Sequence, residues 1–271
     1  MNPGLVIQLL LGGLCAAALA LLSYRLRLLT RRGAFAQCAV GWLLFGFGTW
    51  QWAVPIVVFF GVSSLLSRLT RSGSRAGSEL FAKGETRDEA QVAANGGLAA
   101  VLVLPWFLTG AEGFYVAYLG AVAASAADTW ATAIGMTSRD APRSVRTLQQ
   151  VVPGQSGGIT PRGVLAASAG AVGIALTGVP WLALHLVGIA AVTVASFLAS
   201  LLDSLLGATL QLQYRCTICG QLTERVSHCE VLTQRFRGHD WCTNDTVNLL
   251  SSTAGGAGAV LLYMFVGGGL L

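Results

Sequence analysis

Apolar residues fall into eight blocks along the chain, at roughly 4–22, 34–49, 53–67, 93–110, 114–136, 163–179, 181–203 and 248–270, with polar and glycine-rich stretches between them. Most of these blocks approach the about 20 residues that a helix needs to cross hydrocarbon, and only the second and third are short. The pattern predicts an all-α fold: a polytopic helical membrane protein of about eight transmembrane helices. It forms one transmembrane domain over residues 1–271, with a polar, Cys/His-rich loop at 211–247 inside it. Composition agrees, because 54% of the 271 residues are hydrophobic and only 11% are charged, which excludes an ordinary soluble globule.

Charge placement tests the number of blocks. Every Lys and Arg falls in one of four segments, Arg25 to Arg32, Arg68 to Arg87, Arg139 to Arg162 and Arg215 to Arg237. With eight spans these are alternate loops on one side, whereas fusing the second and third blocks would scatter them over both faces. The positive-inside rule then makes the basic loops cytoplasmic and puts both termini outside, in a bacterial inner membrane or its equivalent. The net charge of +5 is explained by loops facing anionic membrane lipid and requires no nucleic acid. The first block has its basic residues after it, in RLRLLTRR (25–32), and so reads as a retained helix rather than a cleaved signal.

Two carboxylates stand out against this background. Asp128 and Asp203 are the acidic residues within or at the edge of apolar blocks, and a charge at the centre of a spanning helix costs about 2.5–3.5 kcal/mol on insertion scales. Their surroundings match: ASAADT (124–129) and ASLLDS (199–204) share Ala-Ser-x-x-Asp followed by a hydroxyl, a weak internal repeat that would bring one carboxylate from each half to a common site. The plainer alternative is that each Asp bonds a neighbouring helix or caps its own.

Three blocks begin on the same side with unusual sequence: QVAANGG (91–97), VPGQSGGITPRG (152–163) and NDTVN (244–248). Their helix N-termini present free N–H groups and the positive dipole end, where an anion is favoured. Gly154, Gly157 and Gly158 would let backbone N–H groups approach a phosphate, and Ser156 and Thr160 add hydroxyls. The glycines would equally serve a tight turn, and Asn95 a helix cap. GQSGG resembles a serine-protease signature, but no matching His and Asp arrangement accompanies it. Lys83, the single lysine, lies with Arg87 and Arg162 on the same face and would attract phosphate. Two carboxylates, several helix N-termini and these cations suit Mg²⁺ holding a polyphosphate, which answers what a buried carboxylate is for.

The polar loop carries Cys216, Cys219, Cys229 and Cys242 together with His228 and His239. A reducing cytoplasm disfavours disulfides, and Cys216-x-x-Cys219 has the knuckle spacing of a structural zinc site that Cys229 with Cys242 or a His would complete. Free thiols packing the loop are the alternative.

Taken in order, KGETRDEAQVAANGG (83–97), ADTWATAIG (127–135), VPGQSGGITPRG, LLDSLLGATLQ (201–211), the QYRC…SHC loop and NDTVN resemble the domain-of-unknown-function 92 family of integral membrane proteins, which includes transmembrane protein 19 and plant phytyl-phosphate kinase. The resemblance covers most of the chain from about residue 33 onward. It implies a kinase that converts an isoprenoid monophosphate, such as a phytyl or prenyl phosphate, to the diphosphate with a nucleoside triphosphate, CTP or ATP. It further implies that Asp128, Asp203 and Asp245 hold Mg²⁺, that Lys83, Arg87 and Gly154–Gly158 bind nucleotide phosphates, and that Asn95, Asn244 and Asn248 orient them. In the family pattern a Glu stands just before Ile-Gly, where this chain has Ala133, and Thr-Asn stands where it has Gln155-Ser156. Three other readings compete: a CTP-using lipid cytidylyltransferase-like enzyme, a transporter with paired aspartates as its ion site, and a non-catalytic membrane protein whose cysteine loop binds a partner.

Overall fold

A computed structural model describes residues 3–70, 86–182 and 185–266. The described residues form a bundle of seven α-helices: α1 (Pro3–Arg25), α2 (Arg31–Thr70), α3 (Glu89–Thr109), α4 (Glu112–Gly135), α5 (Pro161–Thr177), α6 (His185–Thr209) and α7 (Asn244–Phe265). Among them α1, α2, α3, α6 and α7 are long and apolar enough to cross a membrane.

The two short blocks of the sequence are the two legs of α2. Arg68 Nη2 donates to the Leu26 carbonyl at 2.6 Å, placing the end of α2 beside its own start, while Gln8 Nε2 reaches the Gly46 carbonyl at 2.8 Å near the other end of α1. A straight helix of this length would span about 60 Å, so the chain must double back. It does so at Thr49, whose φ of 56° and ψ of −158° break the helix. Just beyond, Pro55 has no N–H for the Gln51 carbonyl, and the Tyr115 hydroxyl donates to it instead at 2.9 Å. Trp52 is fully buried there against Tyr115, Tyr118 and Trp106, with ring centroids 4.4–5.5 Å apart.

Helix α4 sits at the centre, with thirteen buried residues between Gly113 and Ala127 and contacts to α2, α3, α5, α6 and α7. Small residues permit this, because spanning helices gain from close backbone approach. A Cβ added to Gly120 would stand 2.5 Å from the Gly255 carbonyl oxygen of α7, and one on Gly170 of α5 would stand 3.0 Å from the Ala126 backbone.

Capping sets the boundaries that apolarity alone misplaces. α3 starts at Glu89 rather than near 93 because Asp88 and Gln91 form a reciprocal capping box. Thr160 caps α5 by accepting from the Gly163 N–H, and Thr243 caps α7 by accepting from the Thr246 N–H, so α7 begins before residue 248. α6 runs on to Thr209, which places Asp203 inside a helix rather than at its end. The 211–247 segment is more ordered than a loop. β1 (Arg143–Ser144) pairs antiparallel with β2 (Gly158–Ile159); β3 (Gln213–Arg215) lies between β4 (Leu222–Thr223) and β7 (Gln234–Arg237); and β5 (Ser227–His228) pairs with β6 (Val231–Leu232). These ribbons stand at the end of the bundle where every described Arg lies, the end opposite Trp52.

Candidate functional site

At this basic end, a cavity of about 1140 Å³ opens between the helices. Asp128 from α4 and Asp203 from α6 meet on its wall, with their carboxyls hydrogen-bonded to each other. Asp203 is 9% exposed and also accepts from the Ser251 hydroxyl of α7 at 3.0 Å. Three helices thus converge on one carboxyl pair. Two carboxylates this close ionise together only with a cation between them; otherwise they share a proton.

The three predicted helix N-termini reach the same cavity. Gln91 and Asn95 line it from α3, Thr160 and Gly163 from α5, and Thr243, Asn244, Asp245 and Asn248 from α7. Asn95 is not a cap: it sits in the second turn, where Nδ2 donates to the Gln91 carbonyl at 3.0 Å. The segment Gly154–Gly158 also lines the cavity, although one glycine has a packing reason of its own. Gly157 has a φ of +81°, and a Cβ there would lie 2.7 Å from the Ala208 backbone nitrogen, so only glycine lets this loop rest on α6. Arg87 contributes a cation. Its backbone pairs with Leu28 and Thr30, its guanidinium lies 5.5 Å over the Phe60 ring, and burial pushes its pKa down to about 10, which still leaves it charged at neutral pH.

Two of the expected cations are not among the lining residues described. Lys83 falls outside the described residues. Arg162, in the first turn of α5, is exposed and does not line the cavity, because the turn set by Thr160 and Pro161 directs it outward. The cavity also holds groups that the sequence does not single out. Glu224, just after β4, reaches the cavity and accepts from Ser156 Oγ at 2.8 Å and from Gln211 Nε2 at 2.7 Å. Arg68 and Arg225 line it as well. Only the fold of the ribbon brings Glu224 here; a Glu in a mixed-charge loop carries no pattern that would single it out. Ala133 also lines the cavity, so the Glu of the family pattern would have faced it.

The cavity is apolar as well as polar. Leu19 and Leu22 of α1, Leu26 just beyond its end, and Ile56, Val57, Phe59 and Phe60 of the second leg of α2 line it.

The ribbon gathers Cys216, Cys219, His228 and Cys229, whose ligand atoms all lie within 4.8 Å of one another. Cys242 is not among them. It is buried, with its backbone bonded to Leu212 and His239, and His228 takes the position expected for it. The Cys219 and Ile218 N–H groups, with the His228 side chain, hold the Cys216 thiol down to about 6, whereas the hydrogen bond to Cys219 pushes Cys229 up to about 11.

Residues 14–256 match the sequence profile described as integral membrane protein DUF92. Protein PGR of Arabidopsis thaliana is 28% identical, covering 90% of this chain and 92% of that protein. An uncharacterized membrane protein of Methanocaldococcus jannaschii is 27% identical over 95% of both chains, and one of Synechocystis is 25% identical over 86% of this chain and 82% of its own. No solved structure matches. With a profile that spans the helices, the carboxyl pair and the cysteine ribbon alike, the chain belongs to the DUF92 family of integral membrane proteins.

Proposed function

We propose that the protein is a membrane-embedded phosphotransferase that phosphorylates an isoprenoid monophosphate to the diphosphate with a nucleoside triphosphate, CTP or ATP. The observation that carries this reading is a single cavity lined both by a carboxyl pair, Arg87 and three helix N-termini and by leucine and phenylalanine side chains. A substrate with a phosphate head and a hydrocarbon tail matches both kinds of lining; a bare ion matches only one.

In the reaction, an oxygen of the isoprenoid phosphate attacks the γ-phosphorus, the bond to the bridging oxygen breaks, and a nucleoside diphosphate leaves. The attacking oxygen is already anionic, so no general base is needed, and the protein's part is positioning and charge stabilisation. The Asp128–Asp203 pair fits Mg²⁺ shared with substrate phosphates, because both offer hard oxygen ligands; Asp245 lines the same cavity but is not gathered with them within metal-ligand reach. When bound, the ion neutralises charge on the transferring group. Arg87 and the Gly154–Gly158 loop take up phosphate charge, Asn95, Asn244 and Asn248 orient the phosphates, and Phe59 and Phe60 shelter the chain from water. The basic end is cytoplasmic in this reading, where nucleotide is available.

The test is transfer of labelled phosphoryl from each nucleoside triphosphate to phytyl or geranylgeranyl phosphate by the full chain in lipid with Mg²⁺. Asp128→Asn should lower the rate at least about 100-fold, on the scale of losing a preorganised electrostatic partner. Folded protein that transfers nothing from any nucleotide would overturn the reading.

A further inference from the structure

The cysteine ribbon is built to hold something, and its geometry bears on the cavity. Cys219 Sγ and Cys229 Sγ lie 3.5 and 3.2 Å from His228 Nδ1. In a tetrahedral zinc site, with bonds of about 2.3 Å to sulfur and about 2.0 Å to nitrogen, sulfur and nitrogen ligands stand about 3.5 Å apart. The local backbone is shaped to the same end. The Gly220 N–H returns to the Cys216 carbonyl at 3.0 Å with Gly220 at a φ of +72°, closing the Cys-x-x-Cys turn, and the Cys219 and Ile218 N–H groups point at the Cys216 sulfur. Cys229 and Glu230, neither a glycine, both have positive φ, at 51° and 62°, and this turn brings the Cys229 thiol back beside His228.

The four side chains bracket Glu224. Cys216 and Cys219 precede it at the β3–β4 turn, His228 ends β5 and Cys229 follows in the β5–β6 turn, and between them Glu224 holds Ser156 of the glycine loop and Gln211 just past the end of α6. We propose that Cys216, Cys219, His228 and Cys229 bind one zinc ion, and that this ion closes the segment 216–229 so that Glu224 is held in the cavity. The role is positional: the set of three thiolates and one imidazole is complete, with no coordination place left for substrate. Zinc serves here as a clasp between the ribbon and the glycine loop. The inference stands apart from the phosphotransferase reading, since it concerns metal content and local order.

The test uses the full chain, purified in detergent without chelator. Zinc measured by mass spectrometry should be one per chain and should fall at least fivefold in Cys219→Ser and in Cys229→Ser, while Cys15→Ser keeps it. Cobalt exchanged into the wild-type protein should give the absorption of a three-thiolate, one-nitrogen site. This readout needs no variant to fold, and a four-thiolate spectrum would overturn the ligand set by pointing to Cys242. Removing the metal should speed hydrogen exchange at least tenfold in 213–224 and in 154–158, with α4 unchanged. Absence of zinc from the folded wild-type protein would overturn the site, and unchanged exchange at 154–158 after metal removal would overturn the coupling to Glu224.

Discussion

A single methyl group, Ala133, stands where the resemblance in the sequence leads one to expect a carboxylate. It stands on the cavity wall, on the same helix as Asp128, where a carboxylate would face the cavity that also holds Asp203. Ala133→Glu should therefore raise the affinity for Mg²⁺ about tenfold, an increment of about 1.4 kcal/mol, read as a lower half-point when Mg²⁺ is titrated against thermal unfolding. A half-point that does not move would mean that residue 133 takes no part in cation binding. At this scale the sequence reveals residues whose chemistry clashes with their neighbourhood, which is why Asp128, Asp203 and the Cys216/Cys219 knuckle were legible. It conceals Glu224, whose neighbours are equally polar and whose place depends on a hairpin of two-residue strands. The exchange of Cys242 for His228 has the same origin: spacing named the ligand types, and only the ribbon selects among them.

Among the elements, α2 is the one that local physics makes unusual. Thr49 holds a positive φ with an extended ψ, a region that favours glycine and costs other residues about 1–3 kcal/mol. Thr49→Gly should remove that strain, offset by glycine's larger loss of freedom on folding, for a net gain of about 1 kcal/mol seen as a higher Tm in detergent. A lower Tm would show that the Thr side chain contributes more than its backbone costs. The reversal itself was legible because each block was too short for its neighbour's loop charges to make sense otherwise. Helix starts were less so: the Asp88–Gln91 capping box lies outside the apolar run and adds a turn that hydropathy does not see.

At the scale of the whole molecule, the described arginines gather at one end and the Trp52 cluster at the other. If the basic end is cytoplasmic, an impermeant maleimide applied to intact cells should label Thr109→Cys and leave Arg32→Cys silent until the membrane is opened; the reverse pattern would invert the topology. The contact of Gly120 with Gly255 carries this further. Where two backbones meet with no side chain between them, tilting one helix against the other costs the whole seam at once, so α4 and α7 behave as a stator. The freedom to yield passes to α1, which packs mainly on α2 and is largely uncovered along its length. Yielding is thus confined to one flank of the bundle, while the frame that α4 and α7 form stays still.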